Sequence, residues 1–160
     1  MTNMLFHRPP RLRGRQTGVG LIEVLVAVLV LSIGFLGIAA LQARSLSMNN
    51  SSMARSVATI ESYSILDAMR ADLASAQSHA YNKTVKANAC PTDASTLANA
   101  QIAQWCGQLA QNLGASASTT GTINCTGTLG DCTITVTFDD SKSKSADADA
   151  TQTVTTRAML

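Results

Sequence analysis

Gly18, Val19 and Glu23 are the residues whose types and spacing best suit a chemical event in this chain. Gly18 stands at the junction between a basic segment and an apolar run. Cleavage after it would put a new α-amino group on Val19. Glu23 would then be the fifth residue of the shortened chain, about one helical turn away. A carboxylate there can neutralise the amine of its own chain or of a neighbour. It would also sit near the positive end of a helix dipole. An acid at the centre of a bilayer costs about 2.5–3.5 kcal/mol, and less near an end. Glu23 therefore either stays at a wet interface or needs a cation, and processing at Gly18 would supply one.

Other chemistry is poorly supported. Of the two histidines, His7 and His79, only His79 lies outside the basic leader. No Ser stands in a G-x-S-x-G context, and no nucleophile–base–orienter set is visible. No enzyme activity, cofactor or metal is expected. The four cysteines, Cys90, Cys106, Cys125 and Cys132, contain no C-x-x-C. An even count of this kind suits two disulfides in an oxidising compartment better than zinc. Three pairings are possible. Cys125 and Cys132 flank a short loop and are expected to bridge it, leaving Cys90 for Cys106. Asp139 and Asp140 could face a cation, but two adjacent acids after a strand read first as a solvated turn.

The elements that must position these residues follow from composition. The chain has 160 residues, enough for one domain. It is 46% apolar but only 4% aromatic and 14% charged, which suggests that part of it is not in water. Residues 1–18 carry Arg8, Arg11, Arg13 and Arg15 and no acid. The formal charge of +2 therefore rests on the leader. Nucleic acid is not an expected partner, because Lys83/Lys86 and Lys142/Lys144 are too few for a wide basic face.

From Val19 to Leu41 the only charge is Glu23. As a helix this run is about 35 Å long, enough for a bilayer core. The positive-inside rule leaves the N-terminus cytoplasmic and the rest beyond the inner membrane. A secretory signal peptide usually has an apolar region of about 7–15 residues and a small-residue cut site, and neither fits here. No Pro interrupts residues 19–76, so one long helix is expected. Its second half is amphipathic, with Leu46, Met53, Val57, Ile60, Leu66, Met69 and Leu73 packing under a head. Glu61, with Arg44, Arg55, Asp67, Arg70 and Asp72, falls on the other faces. Gly34 and Gly37 could mark local unwinding or close helix packing.

Residues 79–95 read as loop. A second helix is expected over 96–113, with Ile102, Trp105, Cys106, Leu109 and Leu113 on one face and Gly114 as C-cap. Thr133–Phe138 alternates strictly and reads as a half-buried strand. Residues 121–125 are expected to pair with it. The run 139–149 reads as a solvated loop, and 151–160 as a last strand with Val154, Ala158 and Leu160 inward.

The segment RQTG-VGLIEVLVAVLVLSIGFLGIAALQ resembles the class III signal of type IV pilins and pseudopilins. The resemblance implies that a prepilin peptidase cuts between Gly18 and Val19 and N-methylates the new terminus. It implies that Glu23 directs subunit docking. Val19 departs from the Phe most often found there. Downstream, SIGFLGIAALQARSL, RSVATIESYSILDAMRADLASA, YN, IAQWCGQLAQNL and TITVTFDDSK are similar to minor pilins of the type IV pilus. The Trp105 helix and the Phe138-Asp139-Asp140 ending are the more specific parts.

The family resemblance implies an α+β fold, with a long N-terminal helix packed on a small antiparallel head that carries a second short helix. It divides the chain into a leader (1–18), a transmembrane and assembly helix (19–43) and a periplasmic head (44–160). The implied partners are the prepilin peptidase, other minor pilins, the major pilin and a large tip adhesin. The protein would wait in the inner membrane and then join the extracellular pilus, supporting piliation, twitching motility and adhesion. A minor pseudopilin of type II secretion shares the same leader and helix, and a DNA-uptake competence pilin is a further alternative.

Overall fold

The first helix begins where the apolar run begins. Leu21–Ala71 forms α1, 51 residues without a break. The computed structural model describes residues 18–127, 130–141 and 151–160. The leader lies outside the described residues except for Gly18, as does most of the run expected as a solvated loop at 139–149. Two units are distinguished, with the boundary between Leu41 and Gln42.

Within the first unit α1 is apolar on every side and exposed throughout. Among the described residues it is the one helix long and apolar enough to cross a membrane. Gly34 and Gly37 sit in unbroken helix, and a Cβ on either would meet open space. The local unwinding considered for them does not occur.

In the second unit the hydroxyl-bearing residues of α1 do not disturb it. Ser52, Ser56, Thr59 and Ser62 each donate to the carbonyl four residues back, at 2.8–3.0 Å. The helix stops at Ala71 and restarts as α2, Leu73–Gln77, so the single helix expected through residue 76 is broken at Asp72. The Asp72 N–H turns back to Met69 O at 3.2 Å, while its carbonyl receives Ala76 N.

The region expected as loop at 79–95 contains a strand, β1, Lys83–Lys86. Its KTVK sequence carries a single apolar residue, Val85, so alternation alone could not reveal it. Pairing with a later strand creates it. Helix α3 spans Leu97–Leu113. The Thr96 side chain caps it by accepting from Asn99 N, and Gly114 closes it at φ 100°. Strands β2 (Thr120–Thr126), β3 (Asp131–Asp139) and β4 (Thr151–Met159) complete an antiparallel sheet in the order β1-β2-β3-β4.

The register separates two faces. Ile123, Cys125, Cys132, Ile134, Val136 and Phe138 point to the core. Thr84, Thr122, Thr135 and Thr155 stand in one row across all four strands of the other face. Thr120, Thr137 and Thr153 form most of the next row. Val154, Ala158 and Leu160 pack inward at the β4 side, as expected, though only partly buried.

The core lies between this sheet, the C-terminal part of α1, and α3. Ala58, Ile65, Leu66 and Met69 come from α1; Ile102, Trp105, Cys106 and Leu109 come from α3. The apolar stripe expected to pack under the head therefore divides. Leu66 and Met69 are buried, but Leu46, Met53 and Ile60 remain 65%, 67% and 64% exposed. Leu73 is exposed as well. The seven-residue spacing of Leu46, Met53 and Ile60 keeps them on one face, turned away from the sheet. Together these elements form an α+β protein: a long N-terminal helix on a small antiparallel sheet, with further short helices.

Candidate processing and assembly site

The residues singled out for processing lie where helix begins. Gly18, Val19 and Gly20 precede α1 and are exposed. The Gly20 carbonyl accepts from Glu23 N at 3.0 Å and from Val24 N at 3.3 Å, which closes the first turn. Glu23 occupies that turn, where unsatisfied backbone N–H groups favour an anion. Among the described residues no cation or side-chain donor meets its carboxylate. Val19, Leu21 and Ile22 are all exposed around it. The arrangement is an acid at the start of an apolar helix, without an ion-pair partner among the described residues.

The head holds its own polar groups more tightly. Glu61, expected on a polar face, is only 6% exposed. Its Oε1 accepts from Asn112 Nδ2 at 2.8 Å, and its backbone carbonyl accepts from Trp105 Nε1 at 3.0 Å. Its Oε2 is buried without a hydrogen-bond partner. One residue of α1 thus receives two donors from α3, which fixes how these helices meet. A lone acid in an amphipathic helix reads as solvated, so the pattern of α1 alone does not reveal this role.

Tyr81 is fully buried. Its hydroxyl lies between the Asp72 carboxylate, at 3.2 Å, and the side-chain oxygen of Gln101. Burial first, and the nearby Asp72 charge second, push the phenol up to about 12. Asp93 accepts from Ser95 N at 2.9 Å and from Asn99 Nδ2 at 2.7 Å, bracing the start of α3. The Ser95 backbone N–H, then its side chain, hold the Asp93 carboxyl below the ordinary range.

Asp140 corrects another expectation. It is only 7% exposed, not a solvated turn, and its Oδ2 accepts from Ser51 Oγ at 2.6 Å. Asp139 accepts from Ser141 N at 2.8 Å. Asp140 thereby ties the strand end to α1, while Asp139 and Ser141 stay exposed. Among the described residues no group of three metal-ligating side chains occurs. His79 is exposed in a turn at φ 65°.

The four cysteines form two disulfides, Cys90–Cys106 and Cys125–Cys132. The first ties the segment after β1 to α3. The second crosses β2 and β3 at directly opposed positions.

A family model for the prokaryotic N-terminal methylation motif matches residues 13–39. The match contains Gly18, Val19 and Glu23, and it supports a type IV pilin- or pseudopilin-like protein. It also supports membrane anchoring through the N-terminal helix, with a C-terminal head. No curated protein and no solved structure gives a significant match to the chain.

Proposed function

We propose that this protein is a minor subunit of a type IV pilus, similar to the minor pilin PilV. Prepilin peptidase cuts between Gly18 and Val19 and methylates the new amine. The shortened protein waits as a single-pass inner-membrane protein with its head in the periplasm. It then joins other minor pilins and the major pilin in a complex that primes the fibre and remains at or near its tip, where a large adhesin can be carried. Piliation, twitching motility and adhesion depend on it through that step. The role is structural, with no catalysis and no cofactor.

The observation that carries this reading is the position of Glu23. It stands five residues after Gly18, in the first turn of a helix whose apolar side chains are exposed. A subunit leaving lipid for a helical bundle must not strand that charge. A neighbour's Val19 amine neutralises it. Leu46, Met53 and Ile60 extend the same logic beyond the membrane. Each is about two-thirds exposed, so full cover gains about 1–2 kcal/mol, and a neighbouring helix supplies the cover that the sheet of this chain does not.

The test is to delete the gene, count surface pili and measure exoprotein secretion in the same cultures. Lost or reduced pili with normal secretion, restored by the intact gene, support the reading. Normal pili with blocked secretion would instead assign the chain to a type II secretion pseudopilus.

A further inference from the structure

The two edges of the sheet differ in a way that assigns them different roles. Cys125 and Cys132 face each other with Cα atoms 3.9 Å apart. That closeness marks a non-hydrogen-bonded pair of an antiparallel ladder. Alternation then gives the bonds between β2 and β3 to Asn124–Thr133, Thr122–Thr135 and Thr120–Thr137. It leaves Cys132, Ile134, Val136 and Phe138 to bond Ala158, Thr156, Val154 and Gln152 of β4. The bond from Leu160 N to Gly130 O, at 3.0 Å, keeps the same parity. Thr153, Thr155, Arg157 and Met159 therefore turn their backbone N–H and C=O groups away from β3, toward the outer edge. All four residues are exposed.

The β1 edge is closed by comparison. It has four residues and two lysines, and its Lys86 carbonyl is taken by Ala89 N at 2.9 Å. Short length, lysine and a turned-back chain are the usual protections of a sheet edge. Among the described residues strand β4 has none of them: it is nine residues long, contains no Pro or Lys and carries one charge. Among the described residues that charge, Arg157, has no ion-pair partner. Val154, Ala158 and Leu160 stay half covered on the core side of the same edge.

We propose that the outer edge of β4 is a strand-addition site that takes an extended segment of a different subunit. The backbone groups demand a β-strand. The side-chain pattern demands apolar residues over Val154, Ala158 and Leu160, uncharged polar residues continuing the threonine rows, and an acid beside Arg157. A second copy fits less well. Its β1 edge is closed, and its β4 brings another arginine and no acid. That the partner belongs to the same fibre rests on the pilin reading; the capacity of the edge to bind a strand does not.

The test uses the full chain in its membrane, with a benzophenone amino acid at position 153 and, as control, at position 135 in the middle of the sheet. The expected result is a cross-link from position 153 to a peptide of another protein, in an extended segment that carries an acid, with little from position 135. Thr155→Pro removes an outward N–H and obstructs a neighbour without touching the bonds to β3, so cross-linking falls about tenfold. Retention of both disulfides checks that this variant folds. Arg157→Glu, which leaves the backbone alone, lowers the yield as well. Equal yields at 153 and 135, cross-links to a second copy only, or no response to either substitution would overturn the proposal. Cleavage after Gly18 is read in the same samples. Cut protein without the cross-link sinks the edge alone, whereas a cross-link on uncut precursor sinks the pilin reading and leaves the edge standing.

Discussion

Gly121 lies directly against the indole of Trp105. A Cβ built on it would come within 2.7 Å of both Trp105 Cζ3 and Leu109 Cδ1. The absence of a side chain on β2 is what lets α3 sit close to the sheet and lets Trp105 reach the carbonyl of Glu61. Gly121→Ala is expected to destabilise the protein by about 1–3 kcal/mol through overpacking. Thermal denaturation of the purified protein measures it, and an unchanged midpoint would refute the close fit.

The two disulfides are expected to contribute unequally. Cys90–Cys106 closes a separation of 16 residues and Cys125–Cys132 one of 7. By loop entropy their removal costs about 3 and about 2 kcal/mol respectively. Paired Cys→Ser variants in denaturant titrations test the order. The reverse order would mean that the hairpin bond holds more than chain entropy.

Alkaline pH tests the Tyr81 environment. The phenol is raised from 10.0 to about 12 in the folded protein, so the folded state holds its proton more tightly than the unfolded chain. The resulting stability is fully present below pH 10 and is lost as pH rises toward about 12. Tyr81→Phe is expected to flatten that part of the stability curve. A curve of unchanged steepness would place the alkaline loss elsewhere.

Two substitutions separate processing from assembly. Gly18→Val is expected to leave the full-length precursor uncut, which immunoblotting of membranes reads as a larger band. Glu23→Ala is expected to be cut normally but to stay out of sheared fibres. Mature-sized Gly18→Val protein would remove the cut site, and normal incorporation of Glu23→Ala would remove the charge-pairing role.

Most of the fold was legible because its determinants are local. The uninterrupted run after Val19 gives the start of α1. Thr96 and Gly114 bracket α3, and the alternation at Thr133–Phe138 gives β3. What escaped depends on distant partners. Strand β1 exists because Lys83–Lys86 meets β2, not because of its own pattern. Asp72 breaks the long helix in a stretch without Pro or Gly. Leu46, Met53 and Ile60 have the spacing of a core stripe, and periodicity cannot say which neighbour covers a stripe. Glu61 and Asp140 read as solvated acids until α3 and α1 bring Asn112 and Ser51 to them. At the candidate site, the Gly18–Val19–Glu23 spacing was visible because it lies within a few consecutive residues.

The order of strands in space is their order along the chain, and each disulfide joins cysteines that are consecutive in sequence. A head built this way can be assembled in the order in which it is synthesised. Each new strand finds the edge left by the previous one. An oxidant that joins thiols as they appear makes Cys90–Cys106 and then Cys125–Cys132 without a wrong pair to undo. Neither bond has to wait for a cysteine that lies beyond the other bond.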